Sequence, residues 1–198
     1  MLLSKLTENE VAYYFDPVCP WTWKTSRWLV EAGRVLNFEI RWRPFSLTIL
    51  NKGNVPTEYE EALIVSTKAR RAITQMTVAE HNSDVFAFYT ALGNAWFENG
   101  DDISVKVVEQ ILRDLKLQHY LDACEQEALD SQLAQIHNYA HQLGGEDTGS
   151  PILELRNGIG VYGPIFSEIP IDEEAGILFN SVRTLALDLR FSELKRHR

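Results

Sequence analysis

Strand-like patterns sit at the two ends of this 198-residue chain and are missing from its middle. Near the start, Val11 to Phe15 is an unbroken apolar run, the mark of a strand buried on both faces. From about Cys19 apolar residues recur at helical spacing, with Trp21, Trp28, Leu29 and Ala32 on one stripe, and Gly33 is expected to end the helix. Phe38-Glu39-Ile40-Arg41-Trp42-Arg43-Pro44-Phe45 then alternates apolar and polar, which predicts a half-buried strand ending near its proline. Strand, helix and strand in this order form a βαβ unit, and a right-handed crossover makes the two strands parallel.

From Pro56 to about Leu143 helical periodicity takes over. Ile103, Val107, Val108, Ile111, Leu112 and Leu115 form one stripe, preceded by Asp101 and Asp102 as N-terminal charges. Phe86, Tyr89, Leu92 and Trp96 form another, ended by Asn99-Gly100. Leu129, Leu133, Ile136 and Ala140 form a third, closing at Gly144-Gly145. Strand patterns return in Pro151–Leu155 and Ile159–Tyr162, joined by Asn157-Gly158, a hairpin pair because both residues tolerate positive φ. A last helix is expected over Asp172 to Leu187, with Asp172-Glu173-Glu174 at its positive end. The order βαβ, helices, ββα predicts an α/β chain with a thioredoxin fold. Residues 1–55 and 144–198 would form the thioredoxin-like domain, and 56–143 an inserted helical subdomain.

The fold class narrows the chemistry, and composition narrows it further. A hydrophobic share of 45% with five tryptophans is enough for a sizeable core, while a net charge of −9 argues against nucleic acid as a partner. The basic tail Lys195-Arg196-His197-Arg198 is too short to reverse that sign. No run approaches the ~18 apolar residues of a membrane helix, so no membrane partner is expected. Met1 to Glu10 has no signal-peptide pattern, and two distant cysteines make no disulfide framework, so a reducing cytoplasm is expected. No nucleotide-binding loop is present, and His137 and His141 at i, i+4 have no third ligand. The expectation is therefore no metal and no bound cofactor. Monomer and homodimer remain equally open.

Cys19 carries the chemistry. It lies in Phe15-Asp16-Pro17-Val18-Cys19-Pro20-Trp21-Thr22-Trp23, at the turn from the first strand into the first helix. Pro20 suits the first helical position, where its missing N–H costs nothing. A thiol at a helix N-terminus is expected to ionise more easily than an unperturbed cysteine, whose pKa near 8.5 falls to roughly 3.5–7.5 in such places. Thr22 stands where a C-x-x-C motif has its resolving cysteine, and its hydroxyl is within reach of the sulfur. Trp21 could wall a ligand site, whereas Trp23 and Trp28 read as core. Cys124, among Leu121-Asp122-Ala123 and Glu125-Gln126, reads as a structural thiol in a helical connection. Ser150-Pro151 opens the third strand after Gly149. In thioredoxin-like folds a cis proline here presents the backbone of the preceding residue to a bound thiol, so a cis bond is expected.

At these residues the chain resembles the DsbA-like thioredoxin-fold proteins, and most nearly the mycothiol-dependent nitroreductase group among them. The resemblance covers nearly the whole chain. It is carried by Phe15 to Trp21, Thr25-Ser26-Arg27-Trp28, Ser46-Leu47-Thr48-Ile49-Leu50-Asn51 and Tyr89-Thr90-Ala91-Leu92-Gly93-Asn94. Gly145-Glu146-Asp147 leading to Pro151, Gly163-Pro164, Ile169-Pro170 and Phe191 to Arg196 also fit. It implies a cytoplasmic thiol–disulfide oxidoreductase with Cys19 as nucleophile and Pro151 as the cis proline. Pro20, Trp21, Thr22, Asn51 and Ser150 would line the thiol site. A low-molecular-weight thiol, mycothiol or similar, would be cosubstrate, and small thiols and disulfides the partners. Thr22 departs from the family, whose members usually carry a second cysteine there, so a single-cysteine cycle resolved by an external thiol is expected. The alternatives are a kappa-type thiol transferase or isomerase, in which Thr22 would activate the thiol, and a non-catalytic thiol- or peptide-binding module.

Overall fold

The computed structural model describes residues 2–51, 54, 57–145 and 147–195, with Asn157 by its backbone alone. The expected boundary at 55/56, Glu146 and the tail residues Arg196 to Arg198 lie outside the described residues. Four strands form one sheet: β1 (Glu10–Phe15), β2 (Glu39–Pro44), β3 (Ile152–Leu155) and β4 (Ile159–Tyr162), in the order β2-β1-β3-β4. β1 runs parallel to β2 and antiparallel to β3, and β3 runs antiparallel to β4. The thioredoxin-type α/β arrangement read from the sequence is the one observed.

β1 is buried along its whole length because both faces of the sheet are covered. Tyr13 and Phe15 face a large cluster with Trp23, Trp28, Leu29, Trp42, Ile73 and Tyr89. Ala12 and Tyr14 face a smaller one with Phe45, Ile136, Ala140 and Ile152. This two-sided burial explains why the strand shows no polar alternation.

Helix α1 (Pro20–Leu36) follows β1, and the short α2 (Leu47–Asn51) follows β2. Then come α3 (Glu60–Val78), α4 (Asn82–Gly93), α5 (Val105–Asp114) and α6 (Leu129–Gly144), all between β2 and β3. α7 (Asp172–Leu187) closes the fold against α1, where the Trp28 indole N–H donates to Ala175 O at 3.2 Å.

Several boundaries correct the sequence reading. α1 does not stop at Gly33 but runs to Leu36 and ends on Asn37, which takes the left-handed conformation at φ 56°. Gly33 is there for close packing: a Cβ would lie 3.2 Å from Phe38 O. α5 begins after Ser104, whose side chain accepts from Val107 N–H, so Ile103 precedes the helix rather than opening its stripe. The β3–β4 hairpin has a three-residue turn, Arg156–Gly158, with Gly158 at φ 70°, rather than a two-residue Asn-Gly turn. The stripe ending at Trp96 spans α4 and a following π turn, Asn94–Glu98.

Candidate active site

Cys19 is the N-cap of α1, in extended conformation, with Pro20 at the first helical position. The turn that carries it is tied to itself. Cys19 N–H donates to Asp16 O at 3.1 Å, and Trp23 N–H donates to Cys19 O at 3.1 Å. The Thr22 hydroxyl, fully buried, lies 3.0 Å from Asp16 O and 2.8 Å from Cys19 O, the acceptors for its one proton. Thr22 thus stabilises the turn as an i−3 back-bonding residue rather than standing open to a ligand.

The thiol is 7% exposed. Burial pushes its pKa above the ordinary cysteine value, and the negative charge of Asp16 adds to the rise. Backbone N–H groups of Thr22 and Trp21, and the Thr22 hydroxyl, pull the other way without overcoming it. This reverses the sequence expectation of an easily ionised thiol. The helix start does direct N–H groups at the sulfur, but desolvation of the thiolate outweighs them. In a Cys124→Ala variant, thiolate absorbance against pH is expected to give a Cys19 midpoint above about 8.5; a midpoint of 7 or lower would contradict the burial argument. Cys124 is 3% exposed and pushed up to about 11 by burial, as befits a structural thiol.

Ser150-Pro151 is cis. Ile152 pairs with Tyr14, so Pro151 enters the sheet beside the end of β1, from which the Cys19 turn departs. Pro151 O accepts from Gly163 N–H at 2.9 Å, and the Ser150 hydroxyl is buried with no hydrogen-bond partner among the described residues. Gly149 packs on α2: a Cβ there would lie 3.5 Å from Leu50 Cδ2. Asn51, the last residue of α2, is exposed and donates its amide to Leu47 O at 2.8 Å. The Trp21 ring is 39% exposed, with the Lys24 ammonium 6.0 Å from its centroid. Trp23 and Trp28 are core residues, 2% and 0% exposed.

Sequence reading missed the polar groups behind this turn. Asp16 is fully buried and uses both carboxylate oxygens. Its Oδ1 accepts from Val18 N–H at 3.2 Å and Ser66 Oγ at 2.6 Å. Its Oδ2 accepts from Leu47 N–H at 2.8 Å and from Arg70 Nη1. Arg70, 1% exposed, also donates to Thr48 and Thr67 hydroxyls, each at 2.8 Å. A signal existed in α3: Ser66, Arg70 and Thr74 repeat every four residues among small and apolar side chains, an odd pattern for a solvated face.

His137 of α6 packs on Phe45 and accepts from Ser46 N–H at 3.4 Å. Burial holds its pKa down at about 4, against an ordinary 6.5. Because the folded value is the lower one, this neutral imidazole favours folding above about pH 6.5, and that contribution is lost as pH falls towards 4. His137→Asn is expected to flatten the fall in melting temperature across that window. An unchanged acid slope would show that other groups control it.

Over residues 18–196 the chain matches the family described as Rv2466c-like, mycothiol-dependent nitroreductase Rv2466c. Among solved structures it is similar to a probable DsbA oxidoreductase, SCO1869, from Streptomyces coelicolor. The TM-score is 0.60 at 16% identity, over 95% of this chain and 93% of the other. It is also similar to the cytosolic disulfide reductase DsbM from Pseudomonas aeruginosa with GSH, at TM-score 0.54 and 16% identity, over 88% of this chain and 99% of that one. A 2-hydroxychromene-2-carboxylate isomerase matches at TM-score 0.56 and 13% identity, over 93% and 100% of the two chains. At these identities the structural likenesses show a shared DsbA/thioredoxin-type fold.

Proposed function

The chain belongs to the Rv2466c-like mycothiol-dependent nitroreductase family, an oxidoreductase family, and on that premise we propose a single-cysteine thiol–disulfide oxidoreductase. Cys19 is its nucleophile and mycothiol its resolving thiol. What supports this reading is Cys19 at the start of α1, on the turn that leaves β1, with the cis Ser150-Pro151 bond just before the strand that pairs with β1, and a fully buried threonine at position 22.

In the first step the Cys19 thiol gives up its proton to solvent. The thiolate attacks one sulfur of a disulfide RS–SR′, forming Cys19–S–SR and breaking the old S–S bond as R′S⁻ departs and takes up a proton. In the second step an external thiolate attacks the R sulfur, restoring the Cys19 thiolate and releasing a new disulfide. Trp21, Asn51, Ser150 and Pro151 frame the approach, with the partly exposed Trp21 side chain taking the apolar side of the thiol and the Asn51 amide its hydroxyls. Trp21 and Thr22 N–H groups stabilise the sulfur anion as it forms. The low ionisation of the resting thiol makes exchange base-limited, with a rate that climbs past the pH at which an ordinary cysteine levels off.

A small thiol as partner is supported by the family and by the neighbour of like fold described with GSH. We place the protein in the cytoplasm, where a small resolving thiol is kept reduced; among the described residues no helix is long and apolar enough to cross a membrane. We read residues 1–55 and 144–198 as the thioredoxin-like domain and 56–143 as the helical insertion. Activation of a bound thiol by the Thr22 hydroxyl is disfavoured, because that hydroxyl is fully buried and lies against the Asp16 and Cys19 carbonyl oxygens.

Intact mass after incubation with mycothiol disulfide tests the reading. The expected result is one mycothiol adduct on Cys19, removed by excess mycothiol; absence of the adduct at saturating disulfide overturns it. A second thiol should restore an internal cycle. Thr22→Cys puts a thiol one turn from Cys19, and mild oxidation is expected to hide both from alkylation. Two alkylatable thiols in that variant after oxidation would show that the pair cannot close.

A further inference from the structure

We infer that the buried Asp16–Arg70 pair is a positioning device that fixes the Cys19 turn, the α2 helix bearing Asn51 and the α3 helix in one mutual arrangement. The inference rests on the reading of Cys19 as the reacting thiol.

The contacts divide in a telling way. One carboxylate oxygen of Asp16 holds its own turn and α3, through Val18 N–H and Ser66. The other holds the first residue of α2, through Leu47 N–H, and Arg70 of α3. Its backbone carbonyl holds Cys19 N–H and the Thr22 hydroxyl. Arg70 reaches α2 a second time through Thr48. One residue thus joins three segments that are far apart in the chain. Stability alone is a poor reason to keep such a pair, since a buried ion pair is often no better than well-packed apolar residues of the same volume. Arg70 Nε is buried with no partner among the described residues, a further sign that packing economy did not shape the site.

The charges also bear on the thiol. Asp16, on its own turn, acts on Cys19 electrostatically, while the Cys19 charge in turn bears on Tyr13 of β1 and Tyr89 of α4. Arg70 from α3 pairs with Asp16, and both charges bear on His137 from α6. Asp16 disfavours the thiolate, and Arg70 offsets that charge. Removing the two members should therefore move the thiol in opposite directions, whereas general loosening of the fold would move it one way.

The test uses the full chain in a Cys124→Ala background. Asp16→Asn is expected to lower the Cys19 midpoint by about one pH unit and Arg70→Gln to raise it by a similar amount. Both should slow adduct formation with mycothiol disulfide about tenfold or more relative to alkylation by iodoacetamide, because α2 is no longer held to the turn. Midpoints that move in the same direction, or an unaltered ratio of the two rates, overturn the inference. Should a charge-removing variant fail to fold, Ser66→Ala keeps both charges and is expected to lower that ratio about threefold with the midpoint unmoved; an unmoved ratio overturns the inference. Failure of the wild-type chain to form any adduct would instead remove the proposed function, and the alkylation midpoints would still test the pair.

Discussion

Cys19→Ser is expected to abolish adduct formation and disulfide exchange, a loss on the order of 10⁴-fold or more, the scale seen when an enzyme loses its nucleophile. A serine hydroxyl stays protonated at any pH the fold survives and cannot form a mixed disulfide. The residual thiol cannot substitute. Cys124 is 3% exposed, pushed up to about 11, and its S–H points to Tyr120 O at 3.8 Å within the helical region. The measurement is stopped-flow exchange with intact mass on the same samples. Uptake of mycothiol by the serine variant at the wild-type rate would move the chemistry away from this turn altogether. The serine change should leave the melting temperature nearly unaltered, because the residue caps α1 through its backbone rather than its side chain.

Gly93→Ala is expected to produce the largest loss of stability from a single added carbon. Gly93 ends α4, and a Cβ there would stand 2.1 Å from Trp23 Cε3 and Cζ3. The indole cannot easily yield. It is 2% exposed, its N–H donates to Glu98 Oε1 at 2.6 Å, and the Arg27 guanidinium lies 4.1 Å from its ring centroid. Overpacking of this kind costs about 1–3 kcal/mol. At the upper end of that range the melting temperature falls by roughly 6–12 °C in a chain of this size. Because Trp23 is on α1, one turn past Cys19, the strain should also reach the thiol turn. Relief by Trp23→Leu in the Gly93→Ala background would locate the effect at this contact. A melting temperature within a degree of wild type would show that the two helices separate without penalty.

Much of the architecture was legible from local pattern. β1 shows as an apolar run because the sheet is covered on both sides, and α7 shows as a helix opening on three acidic residues. The parallel β1–β2 pair follows from the crossover rule, and the thioredoxin-like order of elements singled out the Ser150-Pro151 bond, which proves to be cis. The Gly33 error has a plain cause. Glycine often ends a helix, but here its missing side chain serves contact with Phe38 and Ile40 while the helix continues.

The sequence by itself determined the order of elements, the place of Cys19 at a helix start and the absence of a partner cysteine at position 22. Those are properties of neighbouring residues, set by periodicity, proline geometry and residue identity. Tertiary structure alone decided how readily that thiol ionises. The helix start favours the anion, yet burial and the Asp16 carboxylate outweigh it, and burial is a sum over segments distant in the chain. The same holds for Asp16 and Arg70, 54 positions apart, which read separately as ordinary charged residues. They become one buried pair only when β1, α2 and α3 meet, because desolvation forces each charge to find the other.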